Sequence, residues 1–444
     1  MSLFGALNTA VSGLSAQSAA FGNISENVAN SQTTGYKGVD TSFIDYLTTS
    51  TATDNEPGSV SALPSYTNNV QGTISQSSDP LAMAISGQGF FAVSETSGSN
   101  ATGVTQFNPQ TYYTQAGDFQ MNDSAYLVNG AGQYLQGWTV NPQTGVADQS
   151  TLAPIQITQT QFNPVPTSSI SLSANLPATP ATNTPVSSQI QVYDALGNAQ
   201  TLTLAWTQNV TAATPPVAIP NDWTVTITSP TATPTTLGTA EVLFGAASAN
   251  TVPAGTIGSF GTLTGGVTAT TYAANQPASL TLTTNFGSGS QAINLNMGDF
   301  GEANGVTQFA GTTYAQGSLS QNGVAPGAFT GISITAAGDV IANYNNGQTE
   351  TVAQVPITTF SAPDSLQSQN GQAFTATTNS GNPITQAEDS NGAGSLVIGS
   401  VESSNVDIAT QFSDLIIAQQ AYGANAKVVT TADQLLQTTI NMLQ

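Results

Sequence analysis

Two runs of apolar residues at a spacing of seven, one at each end of the chain, constrain this sequence more than any other feature. Near the start, Leu7, Leu14, Phe21 and Val28 recur every seven residues, with Leu3, Ala10 and Ile24 on the interleaved position and Gln17 breaking it. Over the last forty residues, Ile408, Leu415, Tyr422, Val429, Leu436 and Leu443 form an unbroken ladder of sevens. Phe412, Ala426 and Ile440 occupy the alternate seam there, interrupted by Gln419 and Asp433. A seven-residue apolar repeat keeps one stripe of an α-helix facing a partner helix. The spacing therefore predicts a helix over 3–29 and a second from near 405 to the end, the latter about 58 Å long at 1.5 Å per residue. Ser404-x-x-Asp407 resembles a capping box at the start of the second helix.

The first helix carries Gly5, Gly13 and Gly22, each costing about 1 kcal/mol relative to Ala in a helix interior. Off its seam it is small and polar, so its stability should come from neighbours. One reading is an antiparallel helical hairpin that closes the molecule. The other, favoured by seams at both ends with no further helix to cover them, is subunit-to-subunit packing along a polymerisation seam.

Composition removes most other functions. The 444 residues include 24 carboxylates, two lysines (Lys37 and Lys427), no arginine, and a net charge of −22. Such a chain has nothing with which to neutralise nucleic-acid phosphates, and anionic membrane surfaces are excluded on the same ground. Cysteine and histidine are absent, which rules out Cys/His zinc sites, thiol nucleophiles, Ser-His-Asp triads and haem ligation. Carboxylate-pair chemistry of the glycosidase kind survives composition alone. No stretch reaches the roughly 18 apolar residues of a membrane span. The segment MSLFGALNTAVSGLSAQ lacks the basic region and compact apolar core of a cleavable signal, so export would need a signal-less route. No cofactor is expected, and no metal.

Between the helices the sequence reads as β structure. Gly89-Phe90-Phe91-Ala92-Val93 is a strand; Tyr126-Leu127-Val128 before Asn129-Gly130 signals a hairpin, as do the runs flanking Asp194–Asn198 and Asn345-Asn346-Gly347. The polar stretch Thr48–Ser61 with Pro57-Gly58 reads as a linker or extended arm. Pro/Thr-rich loops at 174–185, 211–220 and 229–236 mark a looser region. The expected organisation is nested: terminal helices 1–30 and 405–444, an extended linking segment 31–70, an inner β domain from 71–150 and 312–395, and an outer β domain 151–311 inserted at its tip. The fold class is mainly β with paired terminal α-helices.

Gly87-Gln88-Gly89-Phe90-Phe91-Ala92 matches a G-x-G-x-x-A dinucleotide fingerprint. The next elements are a strand and a polar loop rather than a helix, so the glycines are expected to shape a tight turn. Each lysine is expected to pair with a carboxylate from a neighbouring chain.

Three segments carry a family likeness. Ala29-Asn30-Ser31-Gln32-Thr33-Thr34-Gly35-Tyr36-Lys37 resembles the A-N-x-x-T-x-G-[FY]-K motif that comes after the first helix of bacterial flagellar rod and hook proteins. Asn405-Val406-Asp407, Ile417-Ala418-Gln419-Gln420-Ala421-Tyr422, Asn425 and Asp433 resemble the matching C-terminal helix, and Ser86–Val93 the first β-domain strand. Gln420 departs from the pattern, many members carrying Arg there. Within the family, the long insertion resembles a hook rather than the shorter rod proteins, a distal rod protein being the alternative. The resemblance implies a structural, non-enzymatic subunit of a curved, flexible tube whose terminal helices line an export channel. It implies passage of torque from motor to filament, and contacts with the rod, hook cap, hook–filament junction proteins and type III export apparatus. It also implies an extracellular place in the flagellum.

Overall fold

The computed structural model describes residues 3–50, 55–99, 105–141, 144–180, 184–213 and 217–442. The chain forms two compact units, one of residues 1–159, 330–343 and 349–444, the other of 160–329 and 344–348.

In the first unit, α1 spans Leu3–Ala29 and α2 spans Ile408–Asn441. The segment expected to be an extended link is instead a long antiparallel hairpin, β1 (Val39–Ser50) with β2 (Asn55–Tyr66), in register from Val39↔Tyr66 to Ser50↔Asn55. The Pro57-Gly58 pair sits at a register shift in β2, where a bulge accommodates a residue that cannot donate to the ladder. The hairpin lies along α1: Val60 N donates to Ser12 Oγ at 3.1 Å, Thr9 Oγ1 to Gly58 O at 3.1 Å, and Asn23 Nδ2 to Thr41 Oγ1 at 2.9 Å. The same unit holds an 11-stranded sheet, with strands Phe91–Ser94 and Tyr134–Thr139 near its centre. Phe91 and Phe119 meet edge to face at 5.4 Å in its core, and Phe90 packs against Phe360 and Phe374. The glycines of Gly87-Gln88-Gly89 make a tight turn into a strand, as their context required. Gly89 has φ 144°, and a Cβ there would overlap Ile357 Cγ2.

The second unit contains two sheets around one core. Five strands between Val186 and Gly265 pair consecutively as antiparallel hairpins, and six others form a mixed sheet around Ser169–Asn175. Alternation is clean in Ala199–Val210, where Leu202, Leu204 and Trp206 point inward. The Asp194–Asn198 turn is tied by Asp194 Oδ1, which accepts from Leu196 N and Asn198 N at 2.9 Å.

The boundaries of this unit lie beyond those expected at 151 and 311. Residues 153–154 stay with the first unit because they pair with Tyr134–Thr139. At the other end, Ala315–Gln321 pairs along Ser169–Asn175, and bridges Val165↔Val324 and Phe162↔Gly327 close the unit behind it. Short polar strands of this kind carry little apolar periodicity, so composition alone misplaced the edges.

Candidate functional site

The two seams meet each other. Gly13 lies against Asn425, where a Cβ would come within 2.8 Å of Asn425 Nδ2; Phe21 and Tyr422 have ring centroids 6.1 Å apart; Asn27 Nδ2 donates to Gln411 Oε1 at 3.0 Å. Rising numbers on α1 meet falling numbers on α2, so the pair is antiparallel. Leu7, Leu14, Phe21 and Val28 are half-buried along α1, as are Leu415, Val429 and Leu436 on α2; Ile408 and Tyr422, expected in the same seam, are exposed, and Leu443 lies outside the described residues.

The second line of contact on α2 differs from the expected one. Phe412 and Ile440 are exposed, and the buried positions are Gln411, Ala418 and Ala432, seven or fourteen residues apart. On α1 the buried side chains are mostly small too: Ala10, Ala16 and Ala20, with Ile24 and Asn27. Small residues let the helix backbones approach closely, so the larger members of the ladders flank the contact rather than fill it. Exposed apolar residues remain on the rest of α2: Phe412, Ile416, Ile417, Val428 and Leu435, with Ile417 63% exposed.

Where the helices join the rest of the first unit, a buried polar junction binds the two chain ends. Lys37 Nζ makes a 2.6 Å ion pair with Glu402 Oε1, both side chains 1% exposed, and donates to Val70 O at 2.8 Å. Among the described residues this is the one ion pair, and it corrects the expectation that Lys37 reaches into a neighbouring chain. Glu402 Oε1 also accepts from Gly72 N, and its backbone O accepts from Gly35 N at 2.8 Å. Asn405 Oδ1 accepts from Gly38 N at 2.8 Å, while its Nδ2 donates to Thr67 and Val70. Asn27 clamps Val39 by both backbone groups, receiving Val39 N at 2.9 Å and donating to Val39 O at 3.0 Å. Tyr36 Oη completes the set, donating to Asn27 Oδ1 at 3.2 Å.

Burial disfavours the charged form of Lys37 and pulls its pKa down, with Glu402 opposing. Burial, helped by the negative Glu26, pushes the Tyr36 phenol up to about 12, against a hydrogen bond from Asn30. These groups are positioned by a left-handed turn at Gly35, φ 68°, where any Cβ would overlap the backbone of Ala116. Asp407 is itself the N-cap of α2, accepting from Ala409 N at 2.8 Å and Thr410 N at 3.3 Å, so the cap is one residue rather than a Ser404 box. Asn30 and Thr33 tie the turn after α1 to each other at 3.3 Å. Gln419 stands apart, exposed on α2.

The sequence motif thus brings together Gly35, Tyr36, Lys37, Asn405 and Asp407, while Glu402 and Asn27 escaped sequence reading. Their signal was weak: one acidic residue among 24, and one polar residue in a helix rich in them. Among the described residues no group of three acidic side chains could hold a metal ion, and no helix is long and apolar enough to cross a membrane. What the junction does chemically is fix residues 27–39 and 402–411 to one another.

Comparison with known proteins gives four family matches in chain order. "Flagella basal body rod protein" matches residues 7–37, "Flagellar hook protein FlgE/F/G D1 domain" 84–175, "Flagellar basal body protein FlaE D2 domain" 161–324, and "Flagellar basal body rod FlgEFG protein C-terminal" 398–442. Flagellar hook protein FlgE of Brucella abortus is 28% identical over 100% of both chains. Flagellar hook protein FlgE of Salmonella typhimurium is 28% identical over 98% of each. A crystal structure of Helicobacter pylori flagellar hook protein FlgE2 aligns at a TM-score of 0.44 and 14% identity, over 72% of this chain and 98% of that one.

Proposed function

We infer that the chain is a flagellar hook protein, as its full-length similarity to such proteins supports, and that it is the structural subunit of a bacterial flagellar hook, polymerising into a curved, flexible tube that joins rod to filament and transmits motor torque. The observation that carries the polymer reading is the unpartnered apolar surface of α2. Phe412, Ile416, Ile417, Val428 and Leu435 are exposed on a helix that already packs against α1 along Gln411, Ala418 and Ala432. Monomeric proteins rarely leave large apolar patches in water, and further copies of the same helix pair would cover these side chains. On this reading the terminal helices line a central channel, and the buried junction transmits load from the helices into the β structure. A family of structural proteins implies no catalysis. The comparisons do not favour a rod subunit, since full-length matches are to hook proteins.

The partners implied are the rod below, the junction proteins above, the cap during growth, and the type III apparatus that would export the uncleaved subunit. Immunogold electron microscopy of cells carrying the gene tests the placement. Label on a short curved segment outside the outer membrane, lost together with motility when the gene is deleted, is expected. Label confined to a straight rod inside that membrane would assign the chain to the rod instead.

A further inference from the structure

Lys37 is consumed by Glu402, which leaves Lys427 as the one accessible lysine on a chain of net charge −22. It is exposed on α2 and, among the described residues, has no carboxylate partner. Lys427 lies nine residues beyond the buried Ala418, and at 100° per residue that is half a turn, so it points directly away from α1. Gly423 and Ile416 fall on the same face, one turn and three turns earlier. No atom lies within 4 Å of where a Gly423 Cβ would be, so this face offers a close backbone approach beside a single positive charge.

A feature of opposite character lies elsewhere on the helical base. A groove of about 390 Å³ runs between α1, β1 and α2. Ile24, Phe43 and Ile417 give it apolar walls, and Asp40 and Asp414, both exposed, give it negative charge. Nothing else in the described chain could supply a cation to these two carboxylates, since Lys37 is buried in its own pair.

We propose that the Lys427 face of α2 in one copy docks into this groove of a second copy, with the Lys427 ammonium meeting Asp40 and Asp414. The inference rests on the hook reading and names the surfaces by which neighbouring subunits recognise each other. Apolar contact supplies the attraction, and the charge fixes the register, because misaligned copies bring carboxylates together.

A charge-swap series on the full chain tests it, read as the critical concentration for polymerisation at about 0.1 M salt. Lys427→Asp should raise that concentration about tenfold or more, since an attraction becomes a repulsion. Asp414→Lys alone should also weaken assembly, by setting two lysines face to face. The double variant Lys427→Asp/Asp414→Lys should recover most of the loss. Circular dichroism and thermal unfolding of the monomers should match the native chain, both positions being exposed. Native-like assembly of Lys427→Asp would overturn the proposal. So would a double variant no better than Lys427→Asp, or rescue by Asp433→Lys instead, which would place the partner on another face. If the native chain formed no polymer under any of these conditions, the hook reading would fall and the docking with it.

Discussion

Lys37 and Glu402 are 365 residues apart in sequence and 2.6 Å apart in space. A buried ion pair of this kind adds little net stability over an apolar pair, but deleting one partner leaves the other charged and dry, at a cost of about 3–5 kcal/mol. Glu402→Ala is therefore expected to destabilise the first unit by about that much and to leave the second unit unchanged, as read by calorimetry with separate transitions. Lys37→Met/Glu402→Leu, which removes both charges, should recover a large part of the loss. Tyr36 adds a pH dependence. Its phenol titrates higher in the fold, about 12, than its ordinary value of 10.0. The folded state thus holds the proton longer, so the stabilisation is complete below pH 10 and drains away as pH rises towards 12. Chemical denaturation across that window, compared between the native chain and Tyr36→Phe, should show the difference shrinking with rising pH. A difference independent of pH would contradict it. Lys37 was legible as one of two cations inside a motif. Its partner was not, because nothing local marks which of 24 carboxylates folds back across the whole chain.

The apolar ladders of the terminal helices were visible because Leu, Val, Phe and Tyr at sevens leave a periodic signal. The close line of contact was not, because Gly13, Ala20, Ala418 and Ala432 carry almost no hydropathy, and Gln411 and Asn27 carry the wrong sign. The same limit applies to the hairpin β1–β2, whose polar composition resembled a linker although its backbone pairs from Val39 to Ser50. The hairpin's tip at 51–54 lies outside the described residues. Leu415→Asp together with Leu436→Asp should separate the helices, since each places a carboxylate in a half-buried apolar seam at a cost of several kcal/mol if unpaired. Helical circular dichroism should fall and assembly should cease. The β units should keep their own unfolding transitions. Normal tubes from that double variant would show that the seam does not support assembly.

As a whole molecule the subunit must stack copies that each carry a charge of −22. Exposed charges are screened over about 10 Å at 0.1 M salt, so raised salt should relieve most of the repulsion. Protonation near the isoelectric point of about 4.1 would relieve it as well. The critical concentration at pH 7 is expected to fall as salt rises from about 10 to 500 mM; a flat response would mean that the carboxylates lie too far apart to matter. Loop composition suggested a second β region in the middle of the sequence, while the pairing of Ala315–Gln321 with Ser169–Asn175 had to be seen to assign residues up to 321 to it. A hook subunit must above all assemble with copies of itself through its joined ends. Electron cryomicroscopy of the purified chain, concentrated at pH 7 in about 0.5 M salt, examines that property, because at that ionic strength charge repulsion is screened within a few ångströms. Hollow tubes whose inner wall is made of the α1–α2 pairs are expected. Dispersed monomers, or tubes with those helices turned to the outside, would contradict assembly through the joined ends.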